Sequence, residues 1–574
     1  MGIRFGVARA FAAALLLSGC AALPPAPPPS PLEARIAAIL ERRGPGAGSL
    51  SLITEILGSR PLPPQIPPLV RELLARPGAA ADAAAIFERA VPHALSRFAA
   101  SGPEPVALAA PVDIRELLDP YLRDLAEAQR VLRGALGGGE IATELVLEGM
   151  RKDLPSSEWL APLSHGVDAA ELQRANDLFL VATLRFTNVL RTHAGNIRFP
   201  DRAERFESAI GTVQIGSAGE DEHGPEAAVI VDPGGNDRYR RAPATGGAVS
   251  VIFDLGGDDQ YSGSDFALHG FSAIVDLAGN DQYRMQGPGV GAAVAGASLV
   301  LDFAGNDVYE ADLFGIGAGA LGLGAVVDFA GDDSYRVRAG GQGLGVTGGV
   351  GLLWDLAGDD RYVASGLPDA YDRGGGVSMA QGCGLGLRPR YGGGIGILRD
   401  DAGNDRYEAE MFAQGVAYWF GAGLLWDRAG NDTYSAVRYA QGNGVHLAVG
   451  TLRDDSGDDN YSLTVGVGQG MGLDLAVGVL YDAAGNDDYT GPNLVQGSAT
   501  DNGIGILFDA GGTNRWRADL PEGGWGYAKP SRERPSIGLL LYEPAGALFE
   551  RSGKVLQPPG DAPALGGPLG GRKP

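Results

Sequence analysis

The chain has 574 residues, which is too long for one compact core and predicts at least two domains. Its 91 glycines and net charge of −24 are unusual, and the acidic residues are concentrated in one repeated motif of its second half. No lysine occurs between Lys152 and Lys529. Because nucleic-acid-binding proteins present clusters of Lys and Arg, this composition argues against a nucleic-acid partner.

Residues 1–20 have the pattern of a bacterial secretion signal. Two arginines precede the apolar run Phe11–Leu17, which is too short to cross a membrane as a helix. The tetrapeptide Leu17-Ser18-Gly19-Cys20 resembles the lipobox of bacterial lipoproteins. The resemblance implies that Cys20 is lipidated and becomes the first residue of a membrane-anchored protein, and Ala21 favours the outer membrane. The alternative interpretation is an ordinary signal peptide.

Composition and apolar spacing divide the next part of the chain. Residues 21–31 are rich in proline and predict an extended tether between the lipid and the folded body. Residues 32–196 have helical periodicity and predict an all-α domain without a catalytic signature. The clearest helices are predicted over Asp113–Leu136 and Asp168–His193, where apolar residues recur every three or four positions.

Residues 197–529 repeat the octapeptide Asp-x-x-Gly-(Asn/Asp)-Asp-x-Tyr, and the intervals settle to 26–28 residues. The copies begin at Asp232, Asp254, Asp276, Asp302, Asp328, Asp355, Asp400, Asp427, Asp454 and Asp482. Degenerate copies stand at each end, Gly216–His223 and Asp509–Trp516. A fixed period in this range is typical of one structural unit stacked many times. We therefore predict an α+β multidomain protein in which the helical domain precedes a right-handed parallel β-solenoid of about eleven coils.

A short apolar strand precedes each motif. The residue two before the first Asp is always aliphatic and is predicted to face the inside of the coil, whereas the opposite face carries residues such as Trp354 and Trp426. This outer face is apolar enough to predict a cover, either the helical domain or a partner. A row of Gln residues, beginning at Gln342, predicts a ladder of stacked side-chain amides. Residues 530–556 and 557–574 are expected to form a C-terminal cap and a disordered tail.

The repeats place carboxylates in rows that need to be neutralised. Equivalent residues of neighbouring coils lie about 4.8 Å apart, where two unit charges repel by roughly 3–4 kcal/mol at an effective dielectric of 20. Summed over the array, this repulsion exceeds the stability of a domain, which is about 5–15 kcal/mol. Calcium is the expected neutralising ion because it accepts about six to eight oxygen ligands in flexible geometry, whereas magnesium requires a strict octahedron.

The turn Gly403-Asn404-Asp405-x-Tyr407 resembles the Gly-x-Asp-x-apolar half of the RTX, or hemolysin-type, calcium-binding repeat. The resemblance covers only the octapeptides, and the RTX period is about nine residues instead of the longer period seen here. It implies that several calcium ions bind between stacked turns. The implied ligands are Asp237, Asp259, Asp281, Asp307, Asp333, Asp360, Asp405, Asp432, Asp459 and Asp487. The alternative is that the first Asp of each motif forms an Asx turn and that no metal is bound.

One interval, between Tyr362 and Asp400, is longer than its neighbours by about 18 residues, and insertions in solenoids often lie on the binding face. If this insertion over residues 366–391 holds the site of a polysaccharide lyase or hydrolase, its candidate catalytic residues are Asp369, Asp372 and Arg373. Its candidate ligand-binding residues are Tyr371, Arg388, Arg390 and Tyr391.

No sequence motif of a known catalytic site is recognised elsewhere in the chain. The favoured interpretation is therefore non-enzymatic: a lipid-anchored, calcium-binding scaffold or adhesion module of the cell envelope, with a membrane contact through its lipid and an envelope glycan or protein as partner. The polysaccharide-active enzyme is the alternative, and it rests on analogy between β-helical folds alone.

Overall fold

A computed structural model describes residues 48–59, 65–101, 111–136, 167–368, 375–520 and 523–542, and short pieces at 33–34, 62–63, 146, 148–150, 159–160, 548–551 and 554–556. The signal segment with Cys20, the tether and the C-terminal tail lie outside these residues. So do four residues of the insertion, Asp369, Tyr371, Asp372 and Arg373.

The N-terminal region is helical, as the periodicity predicts. Within the described ranges, the helices with complete bounds are α1 (Gly48–Ser59), α2 (Pro68–Ala75), α3 (Ala83–Ala90), α4 (His93–Ser101), α5 (Ile114–Ala135) and α6 (Ala169–His193). The carboxylate of Asp168 caps α6 by accepting hydrogen bonds from the N–H groups of Ala170 and Glu171, at 3.0 and 3.1 Å. Among the described residues, no helix combines the length and the hydropathy that crossing a bilayer requires.

The repeat region forms three elongated sheets, and each repeat contributes strands to them. The first, which we call the helix-covered sheet, contains Glu204–Ser208, Gly211–Ile215, Val229–Asp232, Val249–Asp254, Phe271–Asp276, Ala297–Asp302, Leu323–Asp328, Val350–Asp355, Ile395–Asp400, Ala422–Asp427, Val449–Asp454, Val477–Asp482, Ile504–Asp509 and Ile537–Tyr542. The short-strand sheet contains Ala244–Thr245, Phe266–Leu268, Ala292–Val294, Gly319–Ala320, Gly345–Val346, Gly384–Leu385, Ala417–Tyr418, Gly444–Val445, Gly472–Leu473 and Ala499–Thr500.

The third sheet, which we call the tyrosine sheet, begins at the Tyr side of each motif. It contains Glu222–His223, Arg238–Arg241, Gln260–Gly263, Gln282–Met285, Val308–Gly315, Ser334–Gly341, Arg361–Ala364, Leu367–Pro368, Gly376–Ala380, Arg406–Ala409, Met411–Ala413, Thr433–Ala440, Asn460–Gly468, Asp488–Gly491, Arg515–Ala518, Leu548–Arg551 and Lys554–Leu556. One further pair, Val112–Asp113 with Ile197–Arg198, stands apart from the three sheets.

Pairing between successive repeats is parallel and keeps the motifs in register. Asp276 pairs with Asp302, for example, and Tyr283 pairs with Tyr309. Antiparallel pairing occurs in local hairpins, such as Leu367–Pro368 with Gly376–Val377 in the insertion. The predicted helical region followed by a large, mostly parallel, solenoid-like β region is therefore confirmed.

The segment 530–556 extends the same sheets. Ile537–Tyr542 pairs in parallel with Ile504–Asp509, and Trp516 is in register with Phe549. The end of the array is thus covered by further strands of the repeat region, with Tyr542 in the place of the first Asp.

Two apolar cores lie on either side of the helix-covered sheet. Inside the coil, the aliphatic row that begins at Ile230 packs against the Tyr residues of the motifs, as the alternation predicts. Outside, the helices cover the apolar face: Phe87 of α3 lies 5.0 Å from Trp354 and 6.0 Å from Trp426, measured between ring centroids. Phe179 of α6 stacks on Phe271 at 4.6 Å. The cover that the sequence left open is therefore supplied, over these strands, by the helical region of the same chain.

The predicted ladder of Gln side chains is wrong. Nε2 of Gln342 donates to the backbone carbonyls of Tyr335 and Val363, at 2.9 and 3.2 Å. Gln441 makes the equivalent bonds to its own coil and the next. Each Gln thus ties two coils together through main-chain oxygens, because its side chain points across the coil toward the tyrosine sheet and not along the row.

Candidate metal site

The motif turn connects the helix-covered sheet to the tyrosine sheet. Its first Asp ends one strand, its Gly turns the chain, and its Tyr lies in the next strand. The Gly is required by close stacking: Gly257 has φ +151°, and a Cβ there would lie 1.4 Å from the carbonyl oxygen of Gly235 in the preceding repeat. Neighbouring turns are therefore brought into direct contact, and their Asp residues with them.

The first Asp of each motif is fully buried and has two kinds of partner. Oδ1 of Asp254 accepts a hydrogen bond from the N–H of Gly256 at 2.7 Å, and the same Asx turn recurs along the array. Oδ2 accepts from the Tyr hydroxyl of the preceding repeat, as from Tyr261 to Asp276 at 2.6 Å. The copy at Asp482 lacks the Asx hydrogen bond, since its Oδ1 has no partner among the described residues. The Asx turn weighed in the sequence is therefore present.

The Tyr residues form a continuous buried stack, a feature that the sequence analysis did not assign. Consecutive rings from Tyr239 to Tyr489 are stacked with centroids 4.7–4.9 Å apart. Burial, followed by the nearby Asp carboxylates, raises the pKa of Tyr309 well above its usual value, so the hydroxyl stays protonated and donates. The sequence contained a signal for this stack, the Tyr that recurs at the eighth motif position. A buried Tyr needs a hydrogen-bond partner for its hydroxyl, so the recurrence also predicts a row of acceptors.

The second Asp of each motif links the repeats and keeps one oxygen free. Oδ1 of Asp281 accepts a hydrogen bond from the backbone N–H of Asp259 at 2.6 Å, and this bond recurs along the array. The Asp side chains are nonetheless only 1–3 % exposed. Oδ2 has no hydrogen-bond partner within the described residues at Asp237, Asp259, Asp281, Asp307, Asp333, Asp360, Asp405, Asp432, Asp459 and Asp487.

The free oxygens lie beside the first row. One oxygen each from Asp254, Asp259 and Asp276 lie within 4.8 Å of one another, and similar groups of three carboxylates recur along the array. Burial, and then the charge of Asp254, raises the pKa of Asp259 to about 9. Burial and the charge of Asp328 likewise raise the pKa of Asp333 to about 10. A buried anion of this kind needs either a proton or a bound cation.

The residues present fit a hard cation such as calcium. The groups made of three Asp residues offer carboxylate oxygens, which are the ligands of hard cations, and no thiolate that would favour zinc. The group at the N-terminal end of the array also contains His223. The ten buried oxygens that have no hydrogen-bond partner among the described residues are candidate ligand atoms for such a cation. A proton shared between the two Asp rows is the competing way to neutralise them.

A third polar row lies on the surface of the turns. The residue before the second Asp, Asn or Asp, is exposed, and its Oδ1 accepts from the backbone of the next repeat. Asn280 N–H donates to Asp258 at 2.9 Å, and Asp332 N–H donates to Asn306 at 3.1 Å. This ladder gives Asp258, Asp332, Asp359 and Asp458 hydrogen-bond partners without a metal. The Asx turn involves only the first Asp of each motif and does not explain these four residues.

Different residues end the rows. At the N-terminal end His223 stands in the Tyr position, stacks on Tyr239 at 4.7 Å and lies 2.8 Å from Asp232 through Nε2. At the C-terminal end Asn514 replaces the second Asp and accepts from the N–H of Asp487 at 2.8 Å. The C-terminal copy still continues the Asp–Tyr pairing, because Asp509 accepts a hydrogen bond from the Tyr489 hydroxyl at 3.0 Å.

Three candidate residues of the insertion lie within the described part of the chain, Arg388, Arg390 and Tyr391. Arg388 and Arg390 are exposed, with the Arg388 guanidinium 5.0 Å from the ring centroid of Trp419. Tyr391 is only 6 % exposed and belongs to the apolar core. The two arginines are thus available to a ligand, whereas the Tyr391 ring packs inside.

Comparisons of the chain with protein-family models, with curated proteins and with solved structures find no match.

Proposed function

We propose that this protein is a non-enzymatic scaffold or binding module of the cell envelope, a right-handed β-solenoid of about eleven coils whose paired Asp rows bind calcium. The observation that carries the proposal is the row of ten buried second-Asp side chains, each with an Oδ2 that has no hydrogen-bond partner among the described residues. Each of these oxygens needs a positive partner. The same requirement recurs in every motif turn.

A cation can bind more oxygens than a shared proton can, and each group of three carboxylates, such as Asp254, Asp259 and Asp276, brings oxygens of two adjacent turns together. Removing one charged partner from a buried site costs about 1–3 kcal/mol or more, and the array repeats the situation in ten motifs. An ion that bridges carboxylates of adjacent turns would also join those turns. We infer that calcium binding and stacking of the repeats are coupled, so that the ion acts as part of the scaffold.

Adjacent Asp residues of one turn give a matched test. Asp333→Asn removes a buried second-row carboxylate, and Asp332→Asn removes an exposed one at a position where other repeats have Asn. We expect Asp333→Asn to lower the number of calcium ions bound at equilibrium dialysis by about one and to reduce the stabilisation by calcium. Asp332→Asn should bind as many ions as the parent.

The competing result is equally clear. If protons neutralise the rows, the chelator-treated protein binds no calcium, its melting temperature does not change with calcium, and Asp333→Asn behaves as a neutral replacement. That outcome would withdraw the calcium function and leave an Asp–Tyr hydrogen-bond ladder as the purpose of the motif.

The lipid anchor and the envelope location are supported by the tetrapeptide that ends at Cys20. We expect the wild-type protein, expressed in a bacterial host, to incorporate labelled palmitate and to sediment with membranes. Cys20→Ser should lose both properties. Cys383→Ser, which changes the only other cysteine in the chain, should keep the label. Labelling that depends on Cys383, or none at all, would contradict the lipoprotein assignment.

A further inference from the structure

The outer face of the tyrosine sheet carries a positive region in an acidic protein. Over the strands from Arg238–Arg241 to Arg361–Ala364, six exposed arginines outnumber the carboxylates beside them. These are Glu310 and Asp312 within the region, and Glu222 and Glu408 in the strands at its two edges, which pair with Arg238 and Arg361. The exposed arginines are Arg238, Arg240, Arg284, Arg336, Arg338 and Arg361. Because the whole chain carries a net charge of −24, this local excess of positive charge marks a surface suited to an anionic partner.

A groove of about 560 Å³ lies within this region. Arg284 and Arg336 flank Glu310 from the two neighbouring strands, each with a nitrogen 3.2 Å from a carboxylate oxygen. Arg338 binds Asp312 with two nitrogens, at 2.6 and 2.9 Å. The groove ends at Val363 and Ser365, immediately before the insertion strand Leu367–Pro368.

The two carboxylates fix the positions of the guanidinium groups but leave some of their N–H donors exposed. The side chains of Arg284, Arg336 and Arg338 remain 56 %, 50 % and 45 % exposed. A guanidinium has five N–H donors, and these contacts use one or two of them. Donors directed by the ion pairs are therefore left for a ligand, in the fork geometry that matches a carboxylate.

We propose that this groove binds a carboxylated glycan, a binding function beyond the proposed calcium scaffold. The arginines would pair with the sugar carboxylates, and Glu310, Asp312, Gln286 and Ser365 would exchange hydrogen bonds with its hydroxyl groups. Successive strands lie about 4.8 Å apart, so a chain running across the strands meets Arg284 and Arg336 at an interval of about 10 Å. A nucleic acid fits less well, because no aromatic side chain lines the groove for base stacking and two carboxylates face its phosphates.

The test uses the full chain in calcium-containing buffer, with folding checked by circular dichroism. The probes are a hyaluronan decasaccharide, the same oligosaccharide with its carboxyl groups reduced to alcohols, and a single-stranded oligothymidylate. We expect binding of the carboxylated oligosaccharide only. The double variant Arg284→Ser/Arg336→Ser should weaken that binding by about tenfold or more, since each lost contact is a charge-assisted hydrogen bond.

Arg515→Ser/Arg517→Ser is the matched control. It removes the same charge from the same sheet, six repeats beyond Arg336, and should change the Kd by less than about twofold. The proposal is overturned if both variants lose affinity equally, if the reduced oligosaccharide or the oligothymidylate binds as well as the carboxylated one, or if hyaluronan, alginate and polygalacturonate all fail to bind at millimolar concentration.

Discussion

The hydroxyl of Tyr309 donates a hydrogen bond to Oδ2 of Asp328 at 2.5 Å, and both side chains are fully buried. The bond joins one repeat to the next through side chains, in addition to the backbone pairing of the sheets. It also fixes the orientation of the first-row carboxylate, whose other oxygen is held by the Asx turn at Ala330. The Tyr stack therefore orients the carboxylates of the first Asp row beside the unpartnered Oδ2 atoms of the second row.

Tyr309→Phe tests this bond. The change keeps the ring in the stack but leaves Oδ2 of Asp328 without its donor, which should destabilise the protein by about 1–3 kcal/mol. We expect a lower urea midpoint of unfolding. Tyr418→Phe, at a partly exposed ring outside the motif, should leave the midpoint unchanged. Equal midpoints for both variants would show that the hydroxyl row contributes no stability.

The stability of the metal-free protein should fall as the pH rises from the unfolded to the folded pKa values of the buried Asp residues. Burial raises the pKa of Asp307 to about 8 and that of Asp259 to about 9, whereas an unfolded Asp titrates near its ordinary value of about 3.9. The folded protein therefore binds more protons than the unfolded chain between these values, and the stability they provide is lost as the pH rises through the folded pKa.

The measurement is the melting temperature from about pH 5 to about pH 9, in chelator and in calcium. In chelator the melting temperature should decrease across this range. In calcium the decrease should be smaller or absent, because the ion binds the deprotonated rows. A melting temperature that rises with pH in chelator would contradict the burial of ionisable Asp rows.

Gly257→Ala should disrupt the stacking of the motif turns. Its Cβ would lie 1.4 Å from the carbonyl oxygen of Gly235, and the residue has φ +151°, so the turn has to shift away from its neighbour. We expect a loss of several kcal/mol, on the order of 3 kcal/mol, seen as a lower melting temperature. Gly134→Ala, in α5 with open space around it, should instead stabilise by about 0.5–1 kcal/mol.

Phe87→Ala tests the helical cover. Phe87 is 3 % exposed, and its ring packs on Trp354, Trp426 and the Arg399 guanidinium, which lies 4.6 Å from the Phe87 ring centroid. Removing a buried Phe costs about 3–5 kcal/mol, so the amides of α3 should exchange with deuterium much faster. Leu520→Ala, at a residue 49 % exposed, should leave exchange in α3 unchanged. Unchanged exchange in the Phe87 variant would show that α3 is held by other contacts.

Several features could be read from the sequence because they depend on local periodicity. The spacing of the octapeptide places one motif on each repeat, and the aliphatic residue two before each first Asp, such as Ile274, lies inside the coil as alternation requires. The helical periodicity of residues 113–136 and 168–193 likewise predicted α5 and α6. The Asx turn follows from an Asp and the N–H two residues later in the same turn.

Other features depend on which atoms lie one coil away, and the spacing along the chain does not contain that information. Gln342 faces carbonyls of the tyrosine sheet and not its neighbouring Gln, and α3 supplies the cover over Trp354 from a segment more than 250 residues earlier in the chain.

The sequence by itself determined that carboxylates stand in rows. Only the tertiary structure decided that a Tyr hydroxyl and two backbone N–H groups satisfy three oxygens of an Asp pair such as Asp328 and Asp333, and that Oδ2 of Asp333 is left buried with no partner among the described residues. The physical reason is that hydrogen-bond satisfaction is set by the stacking distance and register of neighbouring coils, which only the folded array defines.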